Sequence, residues 1–275
     1  ILVMTATPIP RTLSMTLYGD LDVSIIDELP PGRKEIKTLW RSDSSRLKVN
    51  KFMHEQIALG RQIYIVYPLI QESEKLDYKD LMDGFKAISV EFPMPKFQVS
   101  VVHGQMKSED KQYEMKRFSE GVTNIMAATT VIEVGVDVPH PSVMVIESAE
   151  RFGLSQLHQL RGRVGRSNMQ ATCILLYKKN MSENAKKRIN ILKSTNDGFK
   201  IADEDMKLRG FGDILGYKQS GIKEFKLADP IHHEKLFKMA EMNIKEIENK
   251  EQNLKKYEPL IKLYDKAEII NQIDS

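Results

Sequence analysis

Short apolar runs recur along this chain, each too short for a core helix and each set off by a stretch with helical spacing. QIYIVYPLI at 62–70, FQVSVV at 97–102, NIMAA at 124–128, VMVIE at 143–147 and TCILLY at 172–177 place apolar residues at consecutive positions. Such runs suit strands buried on both faces, which is the habit of parallel sheets. SSRLKVNKFMHEQIALG (44–60) reads as an amphipathic helix ended by Gly60. SEDKQYEMKRFSEG (108–121) reads as another, with Ser108 as its cap, Glu109 and Asp110 in its first turn and Gly121 at its end. Parallel strands need crossover helices, so residues from about 33 to 178 are expected to form one α/β domain with helices on both sheet faces.

The flanks read differently. ILVMTA (1–6) has the character of a buried parallel strand with nothing before it to pair with. The expectation is a piece of a larger protein, whose residues 1–6 could exchange between molecules or fold back. TLSMTLYGD (12–20) has helical spacing, and the Pro/Gly-rich DELPPGRKEI (27–36) marks a linker, setting residues 1–32 apart. Residues 179–222 read as a helical hairpin, with Ser182 capping one helix and STNDG turning into the next, followed by the glycine-rich RGFGDILGYKQSG (209–221). In 223–275, Leu236, Met239, Ala240, Ile244 and Ile247 fall on one helical face.

Charge and cysteine narrow the class. The 275 residues carry a net charge of +3, so any surface for an anionic polymer must be local. One cysteine, Cys173, lies in an apolar run and cannot form an internal disulfide. A reducing, cytoplasmic setting is the expectation. No run is long and apolar enough to span a bilayer, and no signal peptide is recognisable.

The chemistry concentrates in three places. In QLRGRVGR (159–166), a helix would put Leu157, Leu160 and Val164 on an apolar stripe, and Gln159, Arg163 and Arg166 on a separate face. Gly162 and Gly165 would cost about 1 kcal/mol each in a helix, which suggests close approach of another surface. A guanidinium fork grips planar anions such as phosphate. A merely solvated basic face is the competing reading. In AATTVIEVGVDVP (127–139), Thr129 and Thr130 end a strand and Gly135 and Asp137 follow on a turn, where phosphate or an ordinary strand-to-loop transition would both fit. In VVHGQM, His103 and Gly104 end another strand. DEDM at 203–206 and the Lys186, Lys187, Arg188 run read as solvated helix faces.

Taken in order, TATPIPR (5–11), QIYIVYPLI, VVHGQM, ATTVIEVGVDVP and QLRGRVGR resemble the motifs of superfamily 2 helicases. DELPPGR (27–33), TNDGF (195–199) and LRGFGDILGYKQSG (208–221) are similar to the RecG branch, ATP-dependent helicases that migrate branched DNA. The resemblance covers residues 1 to about 222. It implies a second RecA-like motor domain followed by a helical hairpin. Arg163 and Arg166 match arginine fingers for ATP, Gln159 belongs to the same motif, and Gly135 and Asp137 match nucleotide-side positions. His103, Gly104, Thr129 and Thr130 match positions near the DNA backbone. Arg209 and Gln219 match anchors of a loop that relays nucleotide-driven motion to duplex DNA. Partners would be branched duplex DNA, namely forks and Holliday junctions, with ATP and Mg2+ as cofactors of the longer protein. No G-x-x-x-x-G-K-[ST] phosphate loop occurs, so this chain alone is expected not to hydrolyse ATP. The transcription-repair coupling factor, which shares the hairpin and loop, and a non-catalytic binding module are the rival readings.

Overall fold

The computed structural model describes residues 34–68, 74–129, 141–165, 169–179 and 181–209, with backbone alone for 74–80 and 209, plus isolated positions elsewhere. The expected strand at 1–6, the helix at 12–20 and the loop at 210–222 lie outside the described residues. The chain divides into two compact units, Ile1–Pro10 with Asp22–Ile222, and Arg11–Leu21 with Lys223–Ser275. In the second, the described positions 236, 239, 240 and 244 are helical and exposed, and Ile247 is half-buried.

In the first unit, the elements run β1 (Lys37–Ser42), a short 3-10 turn at Asp43–Ser45, α1 (Arg46–Ala58), β2 (Gln62–Tyr67), α2 (Glu74–Glu91) and β3 (Val99–Val102). They continue with α3 (Ser108–Ser119), β4 (Ile125–Thr129), β5 (Pro141–Ile146), a 3-10 turn at Ala149–Arg151 and α4 (Leu154–Arg161). β6 (Thr172–Tyr177), α5 (Glu183–Ser194) and α6 (Gly198–Arg209) complete it. All six strands are parallel, in the spatial order β1-β6-β5-β2-β4-β3. The parallel α/β expectation is borne out.

Alternation along each strand sorts the core into two layers. Tyr64, Val66, Met126, Ala128, Met144, Ile146, Cys173 and Leu175 face one helix layer with Phe118 of α3, Leu157 and Leu160 of α4, Ile189 of α5 and Ile201 of α6. Ile63, Ile65, Ile125, Ala127, Val143, Val145, Ile174 and Leu176 face the other, with Val49 and Met53 of α1 and Leu81, Ile88 and Phe92 of α2. Every residue of β2, β4 and β5 is buried, as central parallel strands require. The edge strand β1, KTLWRS, mixes Lys37, Thr38, Arg41 and Ser42 with Leu39 and Trp40, and has no apolar run to announce it.

The helix ends follow local chemistry. Gly60 and Gly121 both sit at φ +75°, the left-handed position past a helix C-terminus. Ser182 caps α5 by accepting from the Ala185 amide at 3.2 Å. Asp197 Oδ1 accepts from the Phe199 amide at 2.9 Å and starts α6. Ser108 does not cap α3: it is the first helical residue, and Lys107 holds the cap position without a side-chain hydrogen bond.

Candidate functional site: two edges of one sheet

Because all strands are parallel, their carboxyl ends share one edge of the sheet. Thr129 ends β4, and His103 and Gly104 follow β3, the neighbouring strand. The structure therefore brings these three together. The Thr129 side chain is buried, at 2% exposure, and its hydroxyl has no partner among the described residues. Burial, and secondarily Lys111, push the His103 pKa below its ordinary value, so the ring is neutral near pH 7. Lys111 Nζ donates to the Gly104 carbonyl at 2.8 Å. That ammonium was not evident in the sequence, because the helix must return to the strand end to deliver it. Thr130, Gly135 and Asp137 lie outside the described residues.

The arginine motif occupies the opposite edge. α4 stops at Arg161, and Gly162 closes it at φ −65°. Arg163 and Val164 follow in tight turns, their amides donating to the carbonyls of Leu160 at 3.0 Å and Arg161 at 3.4 Å. The expected continuous helix through Arg166 is thus corrected, although Leu157, Leu160 and Val164 all bury as an apolar stripe. Gln159 and Arg163 are half-buried, and Arg166 lies outside the described residues. Gly165 adopts φ +76°, and a Cβ there would sit 3.0 Å from the Ala171 Cβ and 3.3 Å from Ile36. Its role is a left-handed turn packed against its own domain. The close-approach reading is corrected for this position. Ala171 and Ile36 directly precede β6 and β1, so Arg163 lies near the amino edge. A six-residue strand separates the edges by about 20 Å.

Arg161 has a site built from this chain. It is 2% exposed. Its Nη1 donates to the carbonyls of Leu192 at 2.6 Å and Thr195 at 3.0 Å, at the C-terminal end of α5, and its Nη2 donates to His158 Nδ1 at 2.9 Å. Arginine can only donate, so His158 Nδ1 carries no proton. None of these partners is a carboxylate. The negative end of the α5 dipole supplies the compensation, while burial lowers the Arg161 pKa from its ordinary value.

α6 then runs back towards the carboxyl edge. Asp205, buried, accepts from Ser155 Oγ at 2.6 Å in the first turn of α4. The solvated reading of DEDM is corrected: Asp203 faces out and Glu204 is half-buried, while Asp205 and Met206 are buried. Arg188 is likewise not solvated; its Nη2 donates to the Glu150 carbonyl at 3.0 Å, whereas Lys186 pairs with Glu183 at 2.7 Å on the surface. Arg209 ends α6, and Gln219 lies outside the described residues. No helix among the described residues is long and apolar enough to cross a membrane.

Comparison with known proteins fits this geometry. A helicase conserved C-terminal domain matches residues 47–168, and the C-terminal part of domain 3 of the ATP-dependent DNA helicase RecG matches residues 195–269. Relatives named ATP-dependent DNA helicase RecG include those of Bacillus subtilis (strain 168), 49% identical over 84% of this chain, and Thermotoga maritima, 46% identical over 90%. The chain spans about a third of the length of these curated relatives, 34% and 31% respectively. A solved structure of RecG bound to a three-way DNA junction superposes with TM-score 0.67 at 44% identity, covering 84% of this chain and 29% of that one. The sheet is thus the RecA-like sheet of a helicase C-terminal domain, and the chain belongs to the RecG family of helicases.

Proposed function

We propose that this chain is the C-terminal motor part of a longer, cytoplasmic ATP-dependent DNA helicase that translocates on double-stranded DNA and remodels stalled forks and Holliday junctions. What carries this reading is the hairpin of α5 and α6. Its turn meets Arg161, two residues from Arg163 at the amino edge, and its second helix ends at Arg209 near the carboxyl edge with His103 and Thr129. A helix of this length spans about 18 Å, close to the distance between the edges.

In this proposal Arg163 and Arg166, with Gln159, act on ATP. Gly135 and Asp137 line the nucleotide side. ATP with Mg2+ supplies the phosphoryl group and its charge, and the phosphate loop belongs to the other motor domain. Arg163 contributes a permanent cation on a turn braced by the buried Val164 and Gly165. An arginine so placed stabilises charge on the transferring phosphoryl group. At the other edge, the neutral His103, Gly104, Thr129 and Thr130 meet the DNA backbone, with Lys111 as an added cation. Arg209 and Gln219 pass motion to the duplex. The match at 195–269 favours RecG over the transcription-repair coupling factor.

The test uses the full-length helicase. Arg163→Ala is expected to slow DNA-stimulated ATP turnover by about 10³-fold or more while nucleotide binding persists. Arg209→Ala is expected to spare turnover and abolish fork unwinding, and a parallel fall of both would end the relay reading. Turnover by the isolated 275-residue chain would show that it is not half of a motor.

A further inference from the structure

A second arginine system sits at the carboxyl edge, outside every motif assigned above. Arg46, the first residue of α1, forks onto Glu147, which directly follows β5: Nη1 to Oε1 at 2.6 Å and Nη2 to Oε2 at 2.7 Å. Its Nη2 and Nε also reach Asp43 Oδ1, at 2.5 and 3.0 Å. Glu147 is only 7% exposed, and its amide extends the ladder to the Val66 carbonyl at 2.8 Å. The hydrogen bonds to Glu147, followed by burial, dominate the Arg46 environment; the net result is a pKa raised above its ordinary value.

Three features give this pair leverage. Arg46 opens α1 and Glu147 directly follows β5, so the pair ties the start of a helix to the end of a central strand at the carboxyl edge of the sheet. Ser148, the next residue, takes the left-handed conformation at φ 48°, which is strained for a residue with a Cβ. The chain then turns through Ala149–Arg151 into α4. Finally, the pair is bordered by cavities. One of about 180 Å³ is lined by Arg46, Asn50, Tyr67, Gly84 and Glu147, and one of about 60 Å³ by Asp43, Ser148 and Tyr177. Glu147 is nearly enclosed, and the two-pronged hydrogen bonding from Arg46 orients its carboxylate.

We infer that Arg46 and Glu147 are positioning residues for ATP hydrolysis: the fork sets the start of the β5–α4 connection, and through α4 the placement of Arg163. The inference rests on the arginine-finger reading of Arg163. A bidentate fork is a requirement that lysine cannot meet, since its ammonium is a point donor. Loss of the fork lets the connection rotate about Ser148, and a displacement of about 1 Å at the far end of α4 is enough to slow phosphoryl transfer roughly 100-fold.

The experiment compares Arg46→Lys, the charge exchange Arg46→Glu with Glu147→Arg, and Arg163→Ala in the full-length helicase. It reads kcat and KM for ATP on a DNA fork, with thermal unfolding as the folding control. The expected result is a kcat lowered roughly 10- to 100-fold in Arg46→Lys at a KM within about 2-fold of the parent. The charge exchange is expected to recover most of that loss. A parental kcat in Arg46→Lys beside a slow Arg163→Ala would overturn the positioning role and leave the finger reading standing. A parental kcat in Arg163→Ala would remove the finger reading, and this inference with it. A loss of kcat in Arg46→Lys that merely tracks lowered stability, without recovery in the exchange, would reduce the pair to a structural brace.

Discussion

Asp205 on α6 accepts a 2.6 Å hydrogen bond from Ser155 on α4, joining the second helix of the hairpin to the first turn of the helix that leads into the arginine motif. Arg161 makes the corresponding tie at the other end of α4, to the last turn of α5. The hairpin is thus fastened to α4 near both ends of that helix.

The first prediction concerns that fastening. Ser155→Ala removes a donor from a buried carboxylate and is expected to destabilise the chain by about 1 kcal/mol, seen in chemical denaturation. In the full-length helicase it is expected to reduce fork unwinding more than ATP turnover. Equal loss of both would mean that Asp205 is only a stability residue.

Arg161→Ala should be among the more damaging substitutions in the motif for this chain alone. It orphans the carbonyls of Leu192 and Thr195, and a loss of roughly 2–4 kcal/mol is expected. Arg163→Ala, on a half-buried turn, should cost less than Arg161→Ala. Denaturation midpoints of the two variants check that ordering.

The two glycines of QLRGRVGR should respond differently to alanine. Gly165→Ala meets a left-handed backbone and the Ala171 Cβ at 3.0 Å, and is expected to destabilise by about 2 kcal/mol or more. Gly162→Ala has a helical φ of −65° and meets only its own turn, at 3.3 Å, so a change within about 1 kcal/mol is expected. Thermal unfolding of both variants checks the ordering.

Cys173 is fully buried, and desolvation, partly opposed by Arg161, pushes its pKa up to about 12. The folded thiol should therefore resist iodoacetamide at pH 8 and react only at the rate of unfolding. For the pH dependence, the ordinary thiol value is 9.0. The unfolded chain loses this proton first, so the contribution to stability is constant below pH 9 and is lost as pH rises towards about 12. Labelling faster than unfolding would contradict the burial.

The fold was legible wherever a strand lies in the middle of the sheet. QIYIVY, NIMAA and TCILLY are apolar on both faces because helices cover both faces. β1 escaped because an edge strand is half solvated, so Leu39 and Trp40 stand between polar residues without forming an apolar run. QLRGRVGR was legible as a motif but not as a geometry: a period of 3.6 residues predicts a face only while the helix lasts, and α4 ends at Arg161.

The parallel α/β architecture and the family are readable without coordinates, because burial pattern and motif order are local properties written in consecutive residues. That Arg161 is the buried, backbone-bound arginine emerges only from packing between distant segments. Arg161 and Arg163 are two positions apart in one motif and chemically identical. Arg161 is buried under the carbonyls of Leu192 and Thr195, some thirty residues later in the chain, while Arg163 is half-buried on the turn after α4. The same holds for Arg46 and Glu147, about a hundred residues apart. A buried cation is stabilised by whatever acceptors the fold delivers to it, and no local pattern records which distant backbone that will be.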